Sequence, residues 1–135
     1  MNSDQRHDLG WMLDEALRVP EAKHAILLSS DGLLIAHSAD ITRDEAERHA
    51  AAMSGLQSLA RANAAFCGST EKAWQQTITE YDHGYIFLVA AGPRAYVAAS
   101  AGAGVDVETM THRLVVLVQR LGTELSADLR VGELA

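Results

Sequence analysis

The residues of this sequence that could do chemistry are six histidines, a single cysteine and a short glycine-rich turn. Zinc sites hold His and Cys ligands at short, regular spacings such as HxxxH or CxxC. The histidines show neither spacing and are scattered as His7, His24, His37, His49, His83 and His112. Cys67 could act as a nucleophile beside a histidine, whereas a lone cysteine after an apolar helix is more often a small hydrophobic residue. Without a Ser/His/Asp or paired-carboxylate pattern, the sequence predicts no catalytic residue, no metal site and no cofactor.

The glycine-rich turn is Gly102-Ala103-Gly104, between a predicted strand and a predicted helix, where a phosphate-binding turn would lie. It lacks a third glycine, and Asp106 stands where an anion would approach. A structural turn is therefore favoured over a nucleotide site. The sequence contains no GxxxxGK(S/T), so the chain is not itself a P-loop NTPase.

Length and charge limit the classes of protein to consider. A chain of 135 residues suits one domain, residues 1–135, with a core from about 8 to 125 and frayed tails at 1–7 and 126–135. The net charge of −7 repels phosphate backbones, which argues against nucleic acid as a partner. No apolar stretch is long enough to cross a bilayer, the N-terminus lacks a signal peptide's apolar core, and the lone cysteine permits no intrachain disulfide. These features predict a cytoplasmic protein that does not insert into membranes.

Apolar periodicity and turn residues predict the order helix, two strands, helix, three strands, helix. The predicted helices are 8–18, 42–66 and one that begins after Asp106, and the predicted strands are 24–29, 33–38, 73–81, 85–91 and 95–100. Asp31-Gly32 supplies the positive φ of a tight hairpin. Every strand connection is short enough for a hairpin except the one that contains the middle helix. We therefore expect an α+β fold, a five-stranded antiparallel sheet sandwiched by helices, with 85–91 as a central strand.

The middle helix begins at a capping box formed by Thr42 and Glu45. Projected as a helix, it has one face of larger residues, predicted to be core, and one face of small residues that another backbone could approach closely. The first face is Met53, Leu56, Leu59, Ala60 and Ala64, and the second is Ala51, Ser54, Gly55, Ser58, Ala62 and Ala65. Because Arg61 is the only formal charge from His49 to Phe66, a protein–protein interface is favoured over a solvated Ala-rich helix.

Segment 73–81 has a mixed polar and apolar pattern, which suits an edge strand. Trp74 there admits two interpretations, a residue of an intersubunit surface or a ring folded under the adjacent helix. An open edge is an aggregation hazard unless it pairs, and pairing with a second copy would extend the sheet across a two-fold axis. The predicted dimer interface therefore combines the small face of the middle helix with Trp74, Gln76 and Ile78.

Several segments together resemble the Roadblock/LC7 family, and most closely its small bacterial members found beside Ras-like GTPases. They are Leu13-Asp14, Val19-Pro20, residues 25–36 (AILLSSDGLLIA), residues 53–60 (MSGLQSLA), residues 84–87 (GYIF) and Leu114-Val115. The resemblance covers nearly the whole chain from Leu9 to Leu125.

This resemblance implies a Roadblock/LC7-like (profilin-like) fold that homodimerises through the middle helix and the third strand. It also implies a non-enzymatic regulator or scaffold that binds a Ras-like small GTPase in a bacterial signalling system. Such a protein would modulate GTP hydrolysis by reshaping its partner's own site, and a sensor-kinase-like protein is a further implied partner. Arg48 and Arg61 on the middle helix are candidate GTPase contacts, although neither is identified as an arginine finger.

Two functions of other classes stay open on the sequence alone. A small-molecule-sensing module could enclose a ligand between sheet and helix, with Ala95, Val97, Ala98 and Ala99 lining the cavity. An enzyme built on Cys67 is the other, and loss of activity in Cys67→Ala would support it.

Overall fold

The chain forms one antiparallel sheet with helices on both faces. The computed structural model describes the backbone of residues 3–134 and the side chains of residues 9–124. The elements are α1 (Ser3–Ala16), β1 (Ala22–Ser29), β2 (Leu34–His37), α2 (Arg43–Ala62), β3 (Gln76–Tyr81), β4 (Gly84–Ala90), β5 (Ala95–Gly102) and α3 (Val107–Leu134). Two 3-10 helices, Ala64–Cys67 and Glu71–Ala73, connect α2 to β3. The predicted fold class and order of elements are confirmed.

The five strands lie in the order β2-β1-β5-β4-β3, and every neighbouring pair is antiparallel. β3 is therefore an edge strand, as the sequence predicts. β4 is an interior strand, but β5 holds the middle position. Its small residues, Ala95, Ala98, Ala99 and Ala101, are buried and let helical layers pack closely on both faces of the sheet.

Each face of the sheet carries its own apolar core. On one face α1 and α3 bury Leu9, Met12, Leu13 and Ala16 together with Met110, Leu114, Leu117 and Leu121. On the other face α2 lies over β1 and β2 and buries Ala46, Ala50 and Met53 against Ile26, Leu28 and Ala98. Apolar residues spaced three and four apart thus account for the packed side of each helix. No helix in the described part of the chain is both long and apolar enough to span a membrane.

The structure corrects several predicted boundaries. α2 ends at Ala62 rather than Phe66, because the N–H of Asn63 caps the last carbonyls and the chain tightens into the 3-10 helix that Gly68 ends at φ 77°. The 20 residues of α2 span about 30 Å. β3 begins at Gln76 rather than residue 73, because Glu71–Ala73 is helical. The described backbone of the two expected tails is helical, from Ser3 and up to Leu134, and Met1, Asn2 and Ala135 lie outside the described residues. The fraying of these tails stays a prediction.

The predicted capping box at the start of α2 is confirmed. Thr42 is extended, its side-chain oxygen accepts from Glu45 N at 3.2 Å, and its hydroxyl donates to Glu45 Oε1 at 2.7 Å. Hydrogen bonds from the Thr42 side chain and backbone hold the pKa of Glu45 below its ordinary value, with smaller contributions from the charges of Arg48 and His24. The carboxylate form of Glu45 is therefore the one that the cap stabilises.

Replacing Thr42 by alanine is expected to lower the free energy of unfolding by about 1 kcal/mol, the usual cost of removing an N-cap side chain. Because the pKa of Glu45 is lower in the folded chain, the stability linked to it is present above the ordinary pKa and is lost as pH falls through the folded value. Urea unfolding of the original chain and of Thr42→Ala, from neutral to acid pH, measures the free energy of unfolding of each. The difference between the two free energies should shrink as Glu45 is protonated. A difference that is constant across that pH range would contradict the coupling.

Candidate interaction surface

The side of α2 that faces away from the sheet carries no charge over its last three turns. α2 buries Ala46, Ala50, Met53 and Gln57, so the helical period places a different set of residues on the opposite side. This outer face consists of Ala51, Ala52, Gly55, Ser58, Leu59 and Ala62, all of which are exposed. Leu59 is 72% exposed. An exposed helix face with a large apolar residue and no charge is typical of a surface that another molecule covers.

The outer face overlaps the predicted small face but differs from it at four positions, because it lacks Ser54 and Ala65 and includes Ala52 and Leu59. Ser54 is half-buried because its hydroxyl donates to Ser30 O at 2.9 Å, which fastens the β1–β2 hairpin to the helix. Ala65 lies beyond the end of α2, in the 3-10 helix. Leu59 was predicted to be core and is instead exposed. On the predicted core face, Met53 is buried while Leu56, Ala60 and Ala64 are half-buried, because most contacts of α2 with the sheet are to β1 and β2.

Exposed apolar side chains extend this surface beyond both ends of the outer face. The hairpin turn lies against α2, because a Cβ on Gly32 would be 3.3 Å from Ser54 Cβ. The next residue, Leu33, is 68% exposed. At the other end, Phe66 follows the helix and is 92% exposed. In the middle, a Cβ on Gly55 would meet nothing within 4 Å, so the backbone there is open to close approach from outside.

β3 provides a second open surface at the sheet edge. Gln75 O accepts a hydrogen bond from Ala90 N of β4 at 3.3 Å. Along an antiparallel strand, the backbone N–H and C=O groups of successive residues point alternately toward the neighbouring strand and away from it. The backbone groups of Thr77 consequently face β4, while those of Gln76 and Ile78 face the open edge. Ile78 is 38% exposed and no Pro interrupts the strand. These groups are able to pair with a strand of another chain.

Trp74 belongs to a cluster beneath α2 rather than to the edge strand. It precedes β3, is half-buried, and its ring meets Tyr96 edge-on at a centroid distance of 5.8 Å. Its Nε1 donates to Thr77 Oγ1 at 3.0 Å. The sequence left open whether Trp74 lies in an intersubunit surface or under the adjacent helix. In the structure its ring contacts that helix through Arg61, whose guanidinium lies 5.2 Å from the ring centroid.

Arg61 is engaged within its own chain. It donates to Gln57 Oε1 at 2.8 Å, to Glu71 O at 3.0 Å and to Tyr96 OH at 3.1 Å. The only charged residue of the last three turns of α2 is thereby turned away from the outer face. Arg48, by contrast, is exposed and forms no salt bridge within the described side chains. The spacing of Gln57 and Arg61 was the one sequence signal of this cluster, since residues four apart meet on a helix.

The other candidate groups of the sequence are held in structural arrangements. Glu21 covers the glycine turn, since a Cβ on Gly104 would be 3.5 Å from its carboxyl carbon, and its carbonyl accepts from Gly102 N at 2.8 Å. A carboxylate at this position would repel a phosphate. Cys67 is exposed, and its thiol donates to Ala64 O at 3.3 Å. Within the described residues, no three His, Cys, Asp or Glu side chains are grouped so that they could hold a metal ion.

Comparison with known proteins agrees with this architecture. A family model described as the Roadblock/LC7 domain matches residues 9–101. A solved Roadblock/LC7 domain from Streptomyces avermitilis is 35% identical over 83% of this chain and 96% of that chain, with a TM-score of 0.67. Another from the same organism is 29% identical over 87% of this chain and 97% of that chain, with a TM-score of 0.79. MglB from Myxococcus xanthus shares the fold at 14% identity, over 94% of each chain, with a TM-score of 0.81. No curated protein matches this chain.

Proposed function

Since this chain belongs to the Roadblock/LC7 family, we propose that it is a non-enzymatic, cytoplasmic homodimer that binds a Ras-like small GTPase and regulates it or scaffolds its signalling complex. The observation that carries the proposal is the charge-free outer face of α2, exposed together with the open edge of β3. Both features call for a partner, and neither contains a group that would perform chemistry.

A second copy of this chain is the partner that fits both features. A two-fold interface is formed by the same patch on both subunits, so a face of small uncharged residues meets its own copy without opposing charges. Gly55 and the alanines of the outer face allow two helix backbones to approach closely. Antiparallel pairing of β3 with its copy would satisfy the open backbone groups and join the two sheets. The outer face, Leu33, Phe66 and β3 with Gln76 and Ile78 would form the dimer interface.

Replacing Ile78 by proline tests the strand part of this interface. The N–H of Ile78 faces the open edge, so its removal should spare β3–β4 pairing and block pairing with a second copy. We expect the dissociation constant of the homodimer to rise at least tenfold, as measured by sedimentation velocity across a concentration series. Ile78→Ala is the matched control, because it loses the same side chain and keeps the N–H. Equal dimerisation of the proline and alanine variants would show that β3 does not pair across the interface.

A GTPase partner is supported by family membership. The regulator would act by reshaping the partner's own site, and a sensor-kinase-like protein is a further partner of the same complex. Of the two candidate arginines, Arg48 is exposed and available to such a partner, whereas Arg61 is bonded within the chain. We therefore assign the GTPase contact to Arg48.

The decisive experiment measures binding to a Ras-like GTPase encoded beside this chain, loaded either with GDP or with a non-hydrolysable GTP analogue. We expect the affinities for the two nucleotide states to differ at least tenfold, and Arg48→Ala to weaken the tighter one severalfold. Hydrolysis rates of the GTPase loaded with GTP, measured in separate samples with and without this chain, report whether hydrolysis is stimulated, inhibited or unchanged. Absence of binding in both nucleotide states would remove the GTPase part of the proposal and leave the dimer untouched.

A further inference from the structure

A cavity of about 100 Å³ lies between the first half of α2 and the sheet. A row of side chains across three strands forms its floor, because His24 of β1 pairs with Ser100 of β5 and Ser100 pairs with Ile86 of β4. Residues His49 and Met53 of α2 form its roof. The cavity is on the inner side of α2 and is separate from the outer face.

Apart from His49 in the roof, the polar side chains of the cavity are those of His24 and Ser100, which are neighbours in the floor and form one polar end. Ser100 Oγ accepts from His24 N at 3.3 Å, which leaves the hydroxyl proton of Ser100 free to donate. His24 Nδ1 is buried and has no hydrogen-bond partner among the described residues. Such unpartnered buried atoms are uncommon in folded proteins, because burial removes their bonds to water. An oxygen atom placed at this end would supply an acceptor for Ser100 and a partner for the imidazole of His24.

The rest of the lining and the local charge restrict the ligand further. Apart from His49, the remainder of the wall is apolar and includes Ile41, Met53 and Ile86. An engineered protein cavity of about 150 Å³ binds benzene, which has six heavy atoms, so a cavity of about 100 Å³ suits a molecule of about four or five heavy atoms. The wall is mostly apolar and the chain carries a net charge of −7, so an anion is disfavoured.

We propose that this cavity is a binding site for a small uncharged molecule with one oxygen, such as a short-chain alcohol or ketone, whose oxygen meets His24 and Ser100 and whose hydrocarbon part lies under α2. Of the residues that the sequence suggested as a cavity lining, Ala98 and Ala99 do line it, while Ala95 and Val97 pack elsewhere in the core. The site is independent of the GTPase and of the dimer interface.

A nuclear magnetic resonance titration of the full chain with isobutanol tests the site, with isobutyrate as the charged counterpart of similar shape. Isobutanol is expected to shift the backbone amides of His24, Ala99 and Ser100 in a saturable manner. Isobutyrate should bind at least tenfold more weakly. Ser100→Ala removes the donor and should weaken isobutanol severalfold, and Ile86→Phe fills the cavity and should abolish the shifts.

Several results would overturn the proposal. These are shifts that stay linear up to tens of millimolar isobutanol, tighter binding of isobutyrate, or unchanged isobutanol affinity in Ser100→Ala. Sedimentation of the same samples shows whether isobutanol changes the oligomeric state. If the shifts follow such a change, a second copy covers the mouth of the cavity and the proposal is also wrong. If Ile86→Phe fails to fold, the Ser100→Ala variant and the isobutyrate comparison decide the question.

Discussion

Replacing Ser58 by arginine is expected to raise the dissociation constant of the homodimer at least a hundredfold, which corresponds to about 2.7 kcal/mol. Ser58 is exposed near the middle of the outer face of α2, and no residue of that face carries a carboxylate that could pair with a guanidinium. In a two-fold dimer the substitution occurs twice, so two like charges would be buried without partners. Such burial carries a large desolvation penalty.

Sedimentation equilibrium gives the dissociation constant, and circular dichroism reports whether the fold is retained. Because Ser58 makes no packing contact in the core, the variant should keep the helical circular dichroism spectrum. Its unfolding midpoint should equal that of the original chain when that chain is dissociated into monomers. Gln119→Arg is the matched control, since Gln119 is an exposed polar residue of α3, on the other face of the sheet. If Ser58→Arg sediments with the unchanged mass of a dimer, the outer face is not the interface.

Replacing Arg61 by methionine is expected to lower the free energy of unfolding by about 2–3 kcal/mol. Methionine preserves much of the aliphatic length but removes the hydrogen bonds to Gln57, Glu71 and Tyr96 and the cation–π contact with Trp74. Gln57 is 7% exposed, so its oxygen would lose a partner without gaining water, and that loss alone costs about 1–3 kcal/mol. The cluster also joins the 3-10 helix before β3 to α2, so the edge strand should loosen.

Urea unfolding measures the loss of stability, and hydrogen exchange at the backbone amides of β3 shows whether the strand loosens. Arg48→Met on the exposed part of the same helix is the matched control and should change stability by no more than about 0.5 kcal/mol. Equal stabilities of the two variants would show that the Arg61 contacts contribute nothing net. That result would also restore Arg61 as a candidate for contact with a partner.

The candidate surface was only partly predictable from the sequence, and its residues show why. The absence of charge between His49 and Phe66 is visible in the sequence, apart from Arg61, and it indicated an interface. The assignment of Leu59 to the core was wrong, because a projection of one helix gives relative directions and does not say which direction the sheet occupies. The contact between Trp74 and Arg61 was not predicted, because no local sequence pattern indicates that residues of a helix, a loop and β5 pack together.

The sequence by itself determined the features that depend on neighbouring residues. The start of α2 at Thr42, the turn at Gly32 and the packed stripe of α1 follow from hydrogen bonds, backbone angles and spacing within a few residues. Tertiary structure alone decided that β5 holds the middle of the sheet, that α2 makes most of its sheet contacts with β1 and β2, and that Arg61 turns inward. The physical reason is that local interactions are fixed by chain connectivity, whereas burial depends on which surfaces meet after distant segments have packed.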